Sequence, residues 1–431
     1  MKLVAFHTLG CKLNFAETST IGRQFIENGF TVSQFADKVD VYVINTCSVS
    51  QRADRECKKI IRSAVRRSPD AFIIVTGCYA QLRPEEVASI AGVDLVLGTQ
   101  EKFNLFTHCN SFKKNNPAQV FVSEIKNAND FGLAYSGEAD ERTRAFLKVQ
   151  DGCDFQCSYC TIPLARGSSR SQAIETFVSQ ARWLAEKGYK EIVLSGVNVG
   201  DFGKASGTNL LQLLKELVGV DGIERIRVSS IEPNLLTEEL VNFILESDKL
   251  CNHLHIPLQS GSNEVLRLMR RRHTREDFKK LITYIKSIDN TAGVGSDIIV
   301  GFPGETDELF DETYNFLLDL PLSYMHVFTY SERPNTPAAS YPNSIQPKSR
   351  FYRNEKLRIL STKKRFEFYS QFVGKRLGVL YETNIKNGFL SGFSTNYIRV
   401  KTTATENLFN RIVPTLIKNV NKDYCEGDVI V

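Results

Sequence analysis

The chain has 431 residues, 42% hydrophobic and 24% charged, which excludes a disordered polyelectrolyte and gives length for two or three domains with their own cores. Its first residues, MKLVAFHTLGCKLN, show no long apolar core or small-residue cleavage site, and no run of about eighteen apolar residues follows, so a cytoplasmic protein without a membrane span is expected. The net charge is +5 but uneven: residues 351 to 431 hold 14 Lys+Arg against 7 Asp+Glu, a net +7, and residues 1 to 350 come to −2.

Residues 1 to 100 alternate short β-branched runs with helical patterns, the signature of βαβ units and a parallel sheet. KLVAFHTLG, VYVINT, AFIIVTG and VDLVLG are the expected strands, and three of them lead directly into a cysteine, at Cys11, Cys47 and Cys78. Ligands gather at the carboxyl ends of strands in an open α/β sheet, so these three distant thiols are expected to converge on one edge as a metal site. Residues 101 to 140, with KKNNPAQ and NANDFGLAYSGEADERTR, are rich in turn formers and weak in periodicity, and read as a linker.

From 145 to 345 the βα rhythm returns, with AFLKVQ, EIVLSG, RIRVSS, HLHIPL, SDIIVG and YMHVFTY as strands. Six βα repeats predict a partial or full parallel barrel, whose chemistry lies in the loops after its strands. Those loops read DGCDFQCSYC, GVNVGDFG, IEP, QSGS, FPGE and SERPNTP, rich in glycine and polar groups.

Beyond about residue 370, KRLGVLYE, GFLSGFS, YIRVKT, RIVPTLIK and GDVIV predict a small antiparallel β-barrel. Phe389, Phe393 and Tyr397 interleave with Arg399 and Lys401, which suits either base stacking with phosphate contact or an ordinary barrel core. The basic charge of this end likewise points either to nucleic acid or to a solvated surface.

In a reducing compartment clustered thiols read as metal ligands or catalysts rather than disulfides. Cys57, Cys109, Cys251 and Cys425 stand alone and read as small buried hydrophobes. Cys153, Cys157 and Cys160 share one loop with neither a second C-x-x-C pair nor a nearby histidine, so a zinc ribbon does not fit. A redox C-x-x-C would leave Cys153 unexplained. Three soft thiolates suit an iron–sulfur cubane with one iron open to a substrate or cofactor.

At this loop the sequence resembles the radical SAM superfamily, whose C-x3-C-x-aromatic-C motif is matched by Cys153, Cys157, Tyr159 and Cys160. TLGCKLNFAE, INTCSV, VTGCYAQ, CSYCTIPLARGSSRS, SSIEP, HIPLQSGSNEVLRLMRRRHT and VGFPGET extend the resemblance, over nearly the whole chain, to the methylthiotransferase branch. The resemblance implies an N-terminal methylthiotransferase domain at 1–113, a radical SAM core at 139–365 and an RNA-binding TRAM domain at 368–431. It implies two 4Fe–4S clusters, one held by Cys153, Cys157 and Cys160 and an auxiliary one held by Cys11, Cys47 and Cys78. One S-adenosylmethionine would donate the methyl of a methylthio group built on the auxiliary cluster. A second would be cleaved reductively at the other cluster, giving a radical that takes hydrogen from an unactivated carbon.

Contacts to S-adenosylmethionine are expected from Tyr159, Ser195, Gly196, Glu232 and the turn holding Gly301, Gly304 and Glu305. Arg270, Arg271 and Arg272 read either as a phosphate grip or as a solvated helix-end cluster. TLGCKLN resembles the threonylcarbamoyladenosine enzymes of the family more than the isopentenyladenosine or ribosomal-protein ones, and the basic C-terminus favours RNA over a basic protein. The expected substrate is therefore N6-threonylcarbamoyladenosine beside the tRNA anticodon, modified at C2. A reductant protein such as flavodoxin or ferredoxin is the implied electron donor. The alternatives are isopentenyladenosine, a ribosomal-protein aspartate, or a non-catalytic RNA-binding iron–sulfur sensor.

Overall fold

The computed structural model describes residues 2–109, 111–114, 117–128, 130–136 and 143–430. Its first unit is a six-stranded parallel sheet of β1 (Lys2–Thr8), β2 (Phe30–Ser33), β3 (Val41–Thr46), β4 (Phe72–Gly77), β5 (Leu95–Leu97) and β6 (Gln119–Phe121), in the order β2-β1-β3-β4-β5-β6. Every residue of β3 and β4 is buried, because helices cover both faces and leave no face for polar alternation. The helix Gln51–Arg67 shows how they pack: Ser50 caps it by accepting from the Ala53 N–H, and Cys57, Ile61 and Ala64 form its buried stripe.

The sequence reading missed β2 and β6, which are short edge strands and give no periodic signal. The segment read as a linker thus supplies an edge strand at 119–121, beyond residue 113.

Six parallel strands follow, β7 (Arg144–Lys148), β8 (Glu191–Ser195), β9 (Arg225–Val228), β10 (His253–His255), β11 (Gly293–Val300) and β12 (Tyr324–Thr329). They form two triplets, β7-β8-β9 and β10-β11-β12, joined by the parallel bridge Ile226–Leu250 into one curved (βα)6 arc. Helices line its outer face through Phe177, Leu184, Leu213, Ile244, Ile282 and Leu317, all in one buried cluster with the strands. The Arg275–Ile288 and Leu210–Val218 helices each begin with a reciprocal capping box, Thr274 with Asp277 and Asn209 with Gln212.

A single helix, Pro347–Ser370, leads from the arc into a closed barrel of β13 (Arg376–Tyr381), β14 (Phe389–Ser394), β15 (Arg399–Thr403), β16 (Ile412–Val420) and β17 (Cys425–Val429). The barrel is consistent with a TRAM domain. Its pairings are antiparallel except β15–β17, which is parallel. Most of the basic charge read into this end lies on the helix instead: residues 347–370 hold 8 Lys+Arg against 2 Asp+Glu, residues 371–431 hold 8 against 5. Among the described residues no helix is long and apolar enough to cross a membrane.

Candidate functional site

β1, β3 and β4 are neighbours in register, with Thr8 opposite Asn45 and Thr46 opposite Gly77. Their carboxyl ends therefore coincide, and the residues that follow include Cys11, Cys47 and Cys78. Gly10 lies so near Cys47 that a side-chain carbon there would sit 3.0 Å from the Cys47 Sγ. Gly77 has φ of +96°, and a Cβ would meet the Thr46 carbonyl at 2.4 Å, so only glycine lets Cys78 start its helix this close to β3. Asn14 ties the cluster together, donating to the Leu9 and Thr46 carbonyls at 2.7 and 3.1 Å. Burial, then the neighbouring Cys78 and Cys11 thiols, pushes the Cys47 thiol up to about 12.

The second thiol group sits in the loop after β7. Its sulfurs each accept one hydrogen bond: Cys153 from the Phe155 N–H at 3.4 Å, Cys160 from the Ile162 N–H at 3.4 Å, Cys157 from Arg271 Nη1 at 3.5 Å. Arg271 also donates to the Pro257 carbonyl and pairs with Glu232, whose carboxyl burial raises against that pairing. Arg271 is thus buried and committed; it forms no phosphate grip with Arg270 and Arg272, which are exposed. Arg272 lies 4.0 Å from the Phe155 ring.

Arg166, the last residue of the short helix Ile162–Arg166 that follows the loop, is almost wholly buried and joins the two thiol groups. It donates to Asn14 Oδ1 at 2.7 Å, Glu17 Oε1 at 2.9 Å and Asp151 Oδ1 at 2.9 Å. Lys102 and Lys148 complete the network around Glu17. Burial alone would raise the Glu17 carboxyl, but Arg166, Lys102 and Lys148 together hold it at about 2.

Between the sheet unit and the arc lies a cavity of about 580 Å³, whose wall includes Cys11 and Lys12, Ser195 and Gly196, His253 and Tyr397. Tyr397 comes from the C-terminal barrel, with φ of +70°, and stacks on His253 at 4.5 Å and on Phe393 at 4.9 Å. Arg227 fixes this junction, pairing with Glu191 and donating to the Ser394 and Thr395 carbonyls. Phe393 and Tyr397 are therefore neither barrel core nor free stacking platforms; they join barrel to arc, and Phe389 alone of the three is exposed.

Residues 147–317 match the Radical SAM superfamily and residues 3–98 match the uncharacterized protein family UPF0004. A threonylcarbamoyladenosine tRNA methylthiotransferase of Bacillus subtilis is 41% identical, covering 100% of this chain and 97% of its own. A tRNA-2-methylthio-N6-dimethylallyladenosine synthase of Acetivibrio thermocellus is 31% identical, covering 100% and 91%. The chain belongs to the radical SAM methylthiotransferase family. Among solved structures, the radical S-adenosylmethionine methyltransferase TsrM of Kitasatospora setae shares the fold, with a TM-score of 0.58, 15% identity, and coverage of 90% of this chain and 79% of that one.

Radical SAM membership implies S-adenosylmethionine and a 4Fe–4S cluster. The residues fit: three sulfurs on one loop, each met by an N–H donor, are the setting that thiolate ligands of such a cluster require. Burial pushes the Cys153 and Cys160 thiols up to about 12, against the backbone N–H donors of Phe155 and Ile162 that favour the thiolate.

The methylthiotransferase's expected cofactor contacts fall in three places. Ser195 and Gly196 line the cavity at the end of β8. Glu232 meets the cysteine loop through Arg271, and Tyr159 packs edge-on to Phe302 in the same region. The turn of Gly301, Gly304 and Glu305 faces the helix Pro347–Ser370: the fully buried Glu305 accepts from the Gly301 N–H at 2.6 Å and pairs with Arg353 at 2.8 Å. Sequence reasoning missed Arg166, Asn14 and Glu17, whose partners are more than a hundred residues apart. Cys57 is the buried core residue expected, with its Sγ donating to the Cys47 carbonyl at 3.3 Å. Only the three-residue spacing of Asn14 and Glu17 on one helix face was visible beforehand.

Proposed function

We propose that this chain is a tRNA methylthiotransferase that places a methylthio group on C2 of N6-threonylcarbamoyladenosine beside the anticodon. The observation that carries the reading is the shared cavity: Cys11 of one thiol group and Ser195 and Gly196 of the arc line a single space of about 580 Å³. That volume suits a nucleoside. The 41% identity to a relative named for threonylcarbamoyladenosine, against 31% to one named for dimethylallyladenosine, favours the first substrate.

In this reading Cys153, Cys157 and Cys160 hold the 4Fe–4S cluster that leaves one iron to S-adenosylmethionine, and Cys11, Cys47 and Cys78 hold a second. Bound S-adenosylmethionine supplies the methyl group and, on one-electron reduction by a flavodoxin- or ferredoxin-like protein, the hydrogen-abstracting radical. The protein's part is placement. Arg271 orients Cys157 and Glu232 together, Arg166 fixes the Cys153–Cys160 loop against the helix that follows Cys11, and His253, Tyr324 and Tyr397 close one wall of the cavity. The exposed cations Lys348, Arg358 and Lys363 of the helix Pro347–Ser370 suit the phosphates of a cytoplasmic tRNA.

Mass spectrometry of tRNA nucleosides from the host with and without the gene tests this. Loss of the methylthio form of threonylcarbamoyladenosine, with its precursor accumulating, is expected. Loss of the methylthio form of isopentenyladenosine instead would move the substrate, and an unchanged profile would overturn tRNA modification altogether.

A further inference from the structure

The cations on the cavity wall are not equally free. Arg227 is bound to Glu191 and two barrel carbonyls. Arg144 pairs with Glu382 at 3.7 Å and lies 4.5 Å from the Phe393 ring. His255 and His326 share Asp297, at 3.0 and 3.2 Å. Lys12 is different. It opens the helix Lys12–Glu27 beside Cys11, lines the same cavity, and among the described residues its ammonium makes no hydrogen bond or ion pair.

Two more polar atoms of this wall lack partners: Ser229 Oγ and His253 Nδ1, both buried, with His253 only 5% exposed. Two buried polar atoms without partners on the wall of one cavity are costly unless a ligand satisfies them, and the unpaired Lys12 ammonium opens onto the same space. Their shared chemistry is that of an anion site, and a carboxylate, with two acceptor oxygens, suits a cavity lined by an ammonium, a hydroxyl and an imidazole.

Resting on the function proposed above, we infer that Lys12 captures the carboxylate of the substrate's threonylcarbamoyl group, with Ser229 and His253 as flanking hydrogen-bond partners. Lys12 is then a specificity-determining residue, selecting adenosines with an acidic N6 substituent over those with a hydrocarbon one. Discrimination comes from the unfilled site itself: a hydrocarbon gives the Lys12 ammonium no partner and leaves the buried Ser229 Oγ and His253 Nδ1 unpaired.

The test uses reconstituted holoenzyme and anticodon stem-loop RNAs carrying threonylcarbamoyladenosine, its methyl ester, or isopentenyladenosine. For Lys12→Gln, KM for the acid should rise about tenfold or more, the scale of a lost hydrogen bond to a charged group, while KM for the ester stays unchanged. Lys12→Arg should keep most of the preference for acid over ester. Ser229→Ala, away from the cysteines, should narrow the same preference about threefold, a lost neutral hydrogen bond. If Lys12→Gln weakens acid and ester equally, Lys12 serves the neighbouring Cys11 site and the inference is wrong. If acid binding is unchanged, the carboxylate is held elsewhere. Wild-type enzyme active only on the isopentenyl RNA would instead sink the proposed substrate, and this inference with it.

Discussion

Cys153, Cys157 and Cys160 come from one loop of eight residues, whereas Cys11, Cys47 and Cys78 come from three loops spread over the first 78 residues. The local group takes two of its three sulfur hydrogen bonds from its own backbone. The distributed group, in which, among the described residues, Cys47 alone takes a comparable backbone hydrogen bond, from Val49, exists because β1, β3 and β4 are parallel neighbours in register. A local site therefore survives as long as its loop does, and a distributed site fails with the packing of a domain. Arg166 complicates this separation, since it belongs to the segment after the local loop and is buried against Asn14 and Glu17 of the distributed one.

The largest break in the comparison is therefore Arg166→Leu. It leaves Glu17 and Asp151 buried with fewer cations, the situation in which losing one partner of a buried ion pair costs about 3–5 kcal/mol. Denaturant unfolding should show a loss on that scale. If the distributed group is the dependent one, iron retained in a Cys153→Ala/Cys157→Ala/Cys160→Ala background should fall much further with Arg166→Leu than iron retained in a Cys11→Ala/Cys47→Ala/Cys78→Ala background. Equal losses would show that Arg166 supports both groups alike.

Acid separates the groups by a second route. Burial, and then the charge of Arg271, lowers His273 to about 4, against about 6.5 in an unfolded chain. Between those values the unfolded chain holds the extra proton, so the stability His273 contributes is complete above pH 6.5 and is lost as pH falls towards 4, roughly 3 kcal/mol in all. Glu17, beside the distributed group, stays ionised down to about 2, and its contribution fades only below the unfolded value of about 4.5. Stability measured from pH 7 to 5 should thus decline less in His273→Gln than in the wild type. Identical slopes would show that another group carries the acid sensitivity.

The two groups also differ in how far they could be read beforehand. Cys153, Cys157 and Cys160 were legible as spacing, because a loop's ligands lie within one short stretch. Cys11, Cys47 and Cys78 were legible only as strand ends, since buried parallel strands announce themselves as continuous β-branched runs such as VYVINT. Edge strands β2 and β6 were not legible, because unlike the equally short but fully buried β5 they are only partly buried and carry no continuous apolar run. Neither was the docking of the barrel on the arc. Arg227 sits in the expected strand RIRVSS and Tyr397 opens the expected strand YIRVKT, and nothing in their neighbours tells that Arg227 holds the Ser394 and Thr395 carbonyls. Buried charge networks such as Glu17 with Arg166 are hidden for the same reason: partners 149 residues apart leave no local pattern.

Gly77→Ala is the smallest and most selective perturbation. The added methyl would lie 2.4 Å from the Thr46 carbonyl, with φ held at +96°, so either β4 withdraws from β3 or Cys78 turns away. Backbone strain of this kind costs about 1–3 kcal/mol, less than the loss of Arg166. The displacement acts on the strand end itself and touches no residue of the local loop. Iron in the Cys153→Ala/Cys157→Ala/Cys160→Ala background should therefore drop, while wild-type-like reductive cleavage of S-adenosylmethionine persists in Gly77→Ala alone. Loss of that cleavage would mean that the sheet edge also positions the local loop, and that the two groups form one unit.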